Sequence, residues 1–321
     1  ERVLLIPYEI NIHSKEVLMN RETHFTPLQL TACFIALVMV FIMSCQEKTE
    51  TAIATHSVTD SVFSEDGLAI YYDVSGKDEK ALVFVHGWSC DRSYWDEQVP
   101  EFNKNYTVVT VDLADHGEST LGREKWTISS FGADVAAVVE QLDLNNIILV
   151  GHSMGGPVSI EASRRLGDRV VAIVGVDNFQ DFSHQFSDEQ IEQFLAPFRS
   201  DFVGATNGFV RSMFPPTADS VLVEQIATDM SAAPAEVAIS AFSDLFRYDY
   251  AAALEDVRIP IRCINSDIWP TNVIGNQELA ASFKLKLMPG TGHFLHMEDP
   301  NAFNQLLHET LAEFWPSGED Q

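Results

Sequence analysis

The stretch Gly151-His152-Ser153-Met154-Gly155-Gly156 follows directly on the apolar run Ile147–Val150 and opens a segment with apolar residues at helical spacing. A serine hydroxyl is a weak nucleophile until a base takes its proton and its backbone thrusts it into a cleft. Gly151 and Gly155 flank Ser153 at the spacing that permits so sharp a strand-to-helix turn. The helix behind the turn supplies free backbone N–H groups and the positive end of a dipole, which stabilise developing negative charge. The chemistry this pattern predicts is attack by Ser153 on a carbonyl carbon, with the Met154 N–H as one donor to the oxyanion.

A second oxyanion donor is expected from the loop after the run Ala81–Val85, which reads His86-Gly87-Trp88-Ser89. Gly87 lets that loop approach closely, and the Trp88 N–H is the predicted donor, with His86 bracing the loop. The general base is assigned to His293, in Gly290-Thr291-Gly292-His293-Phe294 after the last predicted strand. Of the ten histidines, three precede residue 60; His86, His116 and His152 belong to glycine-flanked turns, and His184 and His308 fall on helical segments. His296 stands three residues beyond His293, but no third ligand at suitable spacing makes the pair a metal site. For the acid that orients the base, Asp267 after Ile259–Ser266 competes with Asp177 after Ala172–Val176. Asp267 is preferred, because its strand is the penultimate one and the order Ser, acid, His is then kept.

These groups need a scaffold that collects loops from distant parts of the chain. From residue 61 onward, short β-branched runs alternate with longer amphipathic stretches, the pattern of parallel strands joined by helices. Near-continuous apolar character in the strands implies that both sheet faces are covered. Between residues 181 and 250 the strands give way to helix, beginning with the capping box Ser187–Gln190. Ten of the 21 phenylalanines lie between Phe179 and Phe246. The expected organisation is therefore a core over 61–180 and 251–317, with a helical cap at 181–250 whose phenylalanines form its own core and, in part, an apolar cleft.

The segments HGWS (86–89), DLADHGES (112–119), GHSMGG (151–156), NSDIWP (265–270) and GTGHF (290–294), in this order, resemble the α/β-hydrolase superfamily in its capped, esterase-like branch. The resemblance covers residues 63 to 316. It implies an α/β fold with a mostly parallel sheet of about eight strands, helices on both faces, and a triad of Ser153, Asp267 and His293. Asp115 replaces the glycine usual before HG in the family, which requires a left-handed backbone there. The loop leading to Asp267 reads Asn265-Ser266 where the family carries glycine. Relatives that open epoxides or remove halide carry aspartate at the nucleophile position, so Ser153 points instead to an ester hydrolase needing neither metal nor organic cofactor. Lactonase, C–C bond hydrolase and cofactor-free perhydrolase activities use the same triad, and a non-catalytic ligand receptor can use the same fold.

Composition sets the surroundings. The 321 residues carry 20 Lys and Arg against 47 Asp and Glu, a formal charge of −27. Such a surface repels phosphate backbones, so the expected partner is a small uncharged ester and not a nucleic acid. Four cysteines, Cys33, Cys45, Cys90 and Cys263, form no disulfide framework. The uncharged run Leu30–Met43 is too short to span a bilayer, which takes roughly 20 residues, but it suits a signal peptide. Ile42-Met43-Ser44-Cys45 resembles a bacterial lipobox. Residues 1–45 are thus expected to be a leader, preceded over 1–18 by a segment upstream of its start at Met19. Cys45 is the expected lipid anchor of an exported protein, and 46–60 the linker.

Overall fold

The computed structural model describes residues 57–316; the expected leader, Cys45 and most of the linker lie outside the described residues. Eight strands form one sheet in the order β1-β2-β4-β3-β5-β6-β7-β8. They are β1 (Val58–Phe63), β2 (Ala69–Ser75), β3 (Ala81–Val85), β4 (Thr107–Val111), β5 (Ile147–His152), β6 (Val170–Val176), β7 (Ile261–Asn265) and β8 (Phe283–Leu287). β1 and β2 pair antiparallel, β2 joins β4 antiparallel, and every pairing from β4 through β8 is parallel.

Every residue of β3, β4, β5 and β7 is buried, because helices cover both faces of the sheet. The alternation of side chains along a strand divides them between two cores. Ala81, Val83 and Val85 pack with Phe131, Val135 and Val139 of the helix Ile128–Gln141 and with Val158 and Ala162 of the helix Gly155–Leu166. Leu82 and Phe84 face the other way, onto Trp95, Phe102 and the residues Phe303, Leu307 and Leu311 of the helix Pro300–Leu311.

Between β6 and β7 the chain forms five helices, Asp188–Ser200, Phe202–Ser212, Ser220–Ser231, Ala235–Arg247 and Tyr250–Leu254. The first starts at a reciprocal cap: Gln190 N–H donates to the Ser187 hydroxyl (3.2 Å) and Ser187 N–H to the Gln190 side chain (2.8 Å). Phe194, Phe198, Phe209, Phe242 and Phe246 pack edge to face and stacked within the insert. The insert is tied to the sheet by polar contacts that have few other partners in so apolar a setting. Trp88 Nε1–H donates to Ala238 O (2.7 Å), Ile128 N–H to Asp244 (2.7 Å), and Tyr94 O–H to Asp229 (2.6 Å).

Beneath the C-terminal end of β5 lies a buried aromatic stack. His296 sits 4.5 Å from Trp95 and 4.6 Å from His152, centroid to centroid. Neither ring nitrogen of His296, nor Trp95 Nε1, meets a protein partner. Burial pushes His296 from 6.5 down to about 3, and drives His152 well below its ordinary value. The unfolded chain therefore takes up protons that the folded chain refuses: stability is intact above pH 6.5 and is lost as pH falls toward the folded value. His296→Phe removes both unpaired nitrogens and the titration while keeping a ring on Trp95. It is expected to stabilise the protein by about 1–3 kcal/mol in urea unfolding at neutral pH, and by more under mildly acidic conditions; an equal or smaller gain in acid would refute the linkage.

Candidate active site

The turn after β5 carries the expected strain. Ser153 has φ 51°, left-handed for a residue with a side chain, which costs about 1–2 kcal/mol. Neighbouring bonds hold it there. Ser153 N–H donates to Val176 O (3.0 Å) and Gly156 N–H to Ser153 O (3.0 Å), while the Asn178 side-chain amide donates to Gly151 O (2.8 Å) and Ser153 O (3.2 Å). The flanking glycines are needed for space: a Cβ on Gly151 would stand 2.2 Å from Gly155 O, and one on Gly155 would stand 2.4 Å from Val85 O. The second of these contacts brings the end of β3 against the start of the helix Gly155–Leu166.

The loop after β3 runs against Ser153, since a Cβ on Gly87 would lie 3.3 Å from Ser153 Cβ. Trp88 follows Gly87, and Met154 caps the helix Gly155–Leu166. Among the described residues neither the Trp88 nor the Met154 backbone N–H donates to a protein acceptor. His86 accepts from Leu113 N–H through Nε2 (3.1 Å) and lies 2.8 Å from Gly87 O through Nδ1. Burial lowers it to about 4, so it is a neutral brace between two loops. Asp115 is left-handed, with φ 62°, and its carboxylate accepts from Gly122 N–H (2.6 Å) and Trp126 Nε1–H (2.6 Å).

The acid is where the structure departs from the expectation. His293 Nδ1 lies 2.6 Å from Asp177 Oδ2, and the Asp177 side chain is 1 % exposed. The other oxygen, Oδ1, accepts from Ser266 N–H (2.8 Å) and Ser266 Oγ–H (2.9 Å). Asp267 instead accepts from Gly290 N–H (3.1 Å) at the surface and makes no bond to His293. The reason is register. Val176 pairs with Ile264, and Asp177 N–H donates to Ile264 O, so Asp177 is the first residue past β6 and Ser266 the first past β7. Asp267 stands one residue farther out, in the bend after β7, where its carboxylate meets Gly290 and not His293.

Asn178 was not singled out from the sequence, and Asn265 and Ser266 were noted only as replacing the family's glycine. Asn265 holds the two loops together, accepting from Asn178 N–H (3.3 Å) and donating to Asn178 O (2.9 Å) and Thr271 Oγ (3.1 Å). The available signal was spacing: an aspartate immediately after a buried strand, against one displaced by a residue. His293 is positioned through its backbone. Its N–H donates to Met213 O in the helical insert (3.0 Å), and its carbonyl accepts from His152 Nε2–H (2.9 Å). The carboxylate of Glu298 accepts from Gly292 N–H (2.8 Å) and steadies the same loop.

Ser153 and His293 both line an apolar cavity of about 650 Å³, walled by Phe179, Phe194, Phe209 and Phe246, and a second of about 160 Å³, walled by Trp88, Phe242 and Phe294. The site therefore joins a serine on a strained turn, a histidine with a buried carboxylate on its far nitrogen, and space for an apolar molecule.

The chain is similar to several known proteins. A karrikin insensitive 2 receptor of Petunia hybrida is 25% identical over 243 residues, 71% of this chain and 90% of that protein. A bifunctional esterase/perhydrolase of Acinetobacter calcoaceticus is 28% identical over 268 residues, 76% of this chain and 96% of that protein. The solved structure of a thermophilic esterase from Thermogutta terrifontis has a TM-score of 0.68 at 21% identity and covers 81% of this chain and 99% of that one, a likeness of fold. The model of the alpha/beta hydrolase family matches residues 82–306, and with the sheet order and the turn at Ser153 it shows that this chain belongs to the alpha/beta hydrolase family.

Proposed function

We propose that the protein is a serine hydrolase of small, uncharged carboxylic esters, with Ser153, His293 and Asp177 as its triad. The observation that carries this reading is the 2.6 Å contact of His293 Nδ1 with Asp177 beside the left-handed Ser153. A carboxylate on Nδ1 holds the tautomer whose proton is on that nitrogen, leaving Nε2 free to accept. His293 takes the proton of Ser153 Oγ as the oxygen attacks the carbonyl carbon. The negative charge formed on the carbonyl oxygen is held by the Trp88 and Met154 N–H groups. Collapse of the adduct breaks the ester C–O bond, His293 returns the proton to the departing alcohol, and the acyl group stays on Ser153. Water, deprotonated by His293, then attacks the acyl carbon and releases the acid and Ser153.

The names of the relatives support this reading and its neighbour: besides the esterase/perhydrolase, a 3-oxoadipate enol-lactonase of Acinetobacter baylyi is 23% identical over 264 residues. The walls of both cavities are rich in aromatic side chains, which suits a neutral acyl or alcohol group, and the chain's excess of carboxylates opposes an anionic one.

The folded chain is expected to release p-nitrophenol from short acyl esters, and Ser153→Ala to abolish release. A wild-type protein that binds such esters yet turns none over would instead fit a receptor. Asp177→Asn is expected to lower kcat about 10⁴-fold, whereas Asp267→Asn, which loses only a surface contact to Gly290, should stay within about threefold. The reverse ranking in a steady-state assay would exclude Asp177 as the acid.

A further inference from the structure

We infer that Ser153 works between two chambers of unequal size, and that its substrate is an open-chain ester with a short acyl group in the small chamber and a bulkier apolar alcohol in the large one. This rests on Ser153 being the nucleophile. Ser153 and His293 border both chambers, and so do Phe209, Trp269 and the adjacent Leu245 and Phe246 of the helix Ala235–Arg247, which together mark the boundary between them.

The two chambers differ in closure as well as size. The small one, about 160 Å³, has Met213, Met230, Phe242 and Phe294 among its walls, all buried. The large one, about 650 Å³, is edged by the exposed Phe186, His184 and Gln190, whereas the small one meets exposed surface only at Trp269, which lines both.

The order of bond breaking assigns the chambers. The alcohol leaves first while the acyl group remains bonded to Ser153, so the alcohol takes the chamber with the wider mouth and the acyl group the more enclosed one. A long acyl tail would have to displace buried Met230 or Phe242. A lactone ties its acyl and alkoxy carbons into one ring and cannot straddle the wall at Leu245 and Phe246. The geometry thus separates open-chain esters from lactones, which share the same bond chemistry.

The test is a set of kcat/KM values for the wild-type folded chain. Phenyl acetate, butanoate, hexanoate and octanoate vary the acyl side, ethyl and 2-phenylethyl butanoate vary the alcohol side at similar leaving-group reactivity, and δ-valerolactone supplies the ring. Octanoate is expected to fall at least about 100-fold below butanoate, 2-phenylethyl butanoate to exceed ethyl butanoate, and the lactone to trail the open-chain esters. Met230→Ala should raise octanoate turnover about tenfold or more relative to butanoate. Should that variant not fold, Phe246→Ala, which opens the wall, should flatten the acyl cut-off. A profile level through octanoate, or a preferred lactone, in an enzyme whose Ser153→Ala variant is dead overturns the two-chamber assignment and leaves the hydrolase reading standing. Inertness toward every ester and lactone, with Ser153 unlabelled by a fluorophosphonate, removes that reading and this one with it.

Discussion

Parallel pairing from β4 to β8 places the C-terminal ends of these strands along one edge of the sheet, and the whole site hangs on that constraint. Ser153 is the first residue after β5, Asp177 the first after β6 and Ser266 the first after β7. Ser153 N–H is spent on Val176 O and Asp177 N–H on Ile264 O, so the sheet's own hydrogen bonds set the spacing of Ser153 and Asp177. Rigid strands hold reacting groups more closely than free loops can, which is the use this architecture makes of its buried sheet.

The insert between β6 and β7 adds what the sheet edge lacks. It closes an aromatic roof over Ser153, with Trp88 stacked on Phe242 at 3.9 Å, and reaches the base itself through the Met213 carbonyl on His293 N–H. Roof and base are therefore coupled: a shift of the helix Phe202–Ser212, whose end is capped by Met213, would be felt at His293. The bond from Tyr94 to Asp229 fixes a second point of the roof, close to the small chamber's Met230.

Much of this was legible in the chain because the signals are local. The strained turn needs glycines at two fixed offsets from Ser153, and those glycines are needed by contacts of 2.2 and 2.4 Å that any Cβ would make. The left-handed Asp115 was readable from the one place where a carboxylate residue stands for glycine. His293 was reached by its place after the last strand. The partner of His293 was not legible: triad order favours the penultimate strand, but the carboxylate that meets His293 Nδ1 follows β6, and the Asp267 side chain is spent on Gly290 N–H.

What the sequence alone determined is the chemistry on offer: a serine on a sharp turn, a histidine after the final strand, an aromatic-rich insert and a strong excess of acidic residues. These depend on residue types and short spacings, which chain order preserves. Only the tertiary structure decided that Asp177 and not Asp267 meets His293, that Ser266 and Asn265 hold the acid's loops, and that the phenylalanines divide one cleft into two chambers. Those outcomes come from register between strands and from packing between helices far apart in the chain. A difference of one residue, or of a few ångströms, reverses them without changing any local pattern.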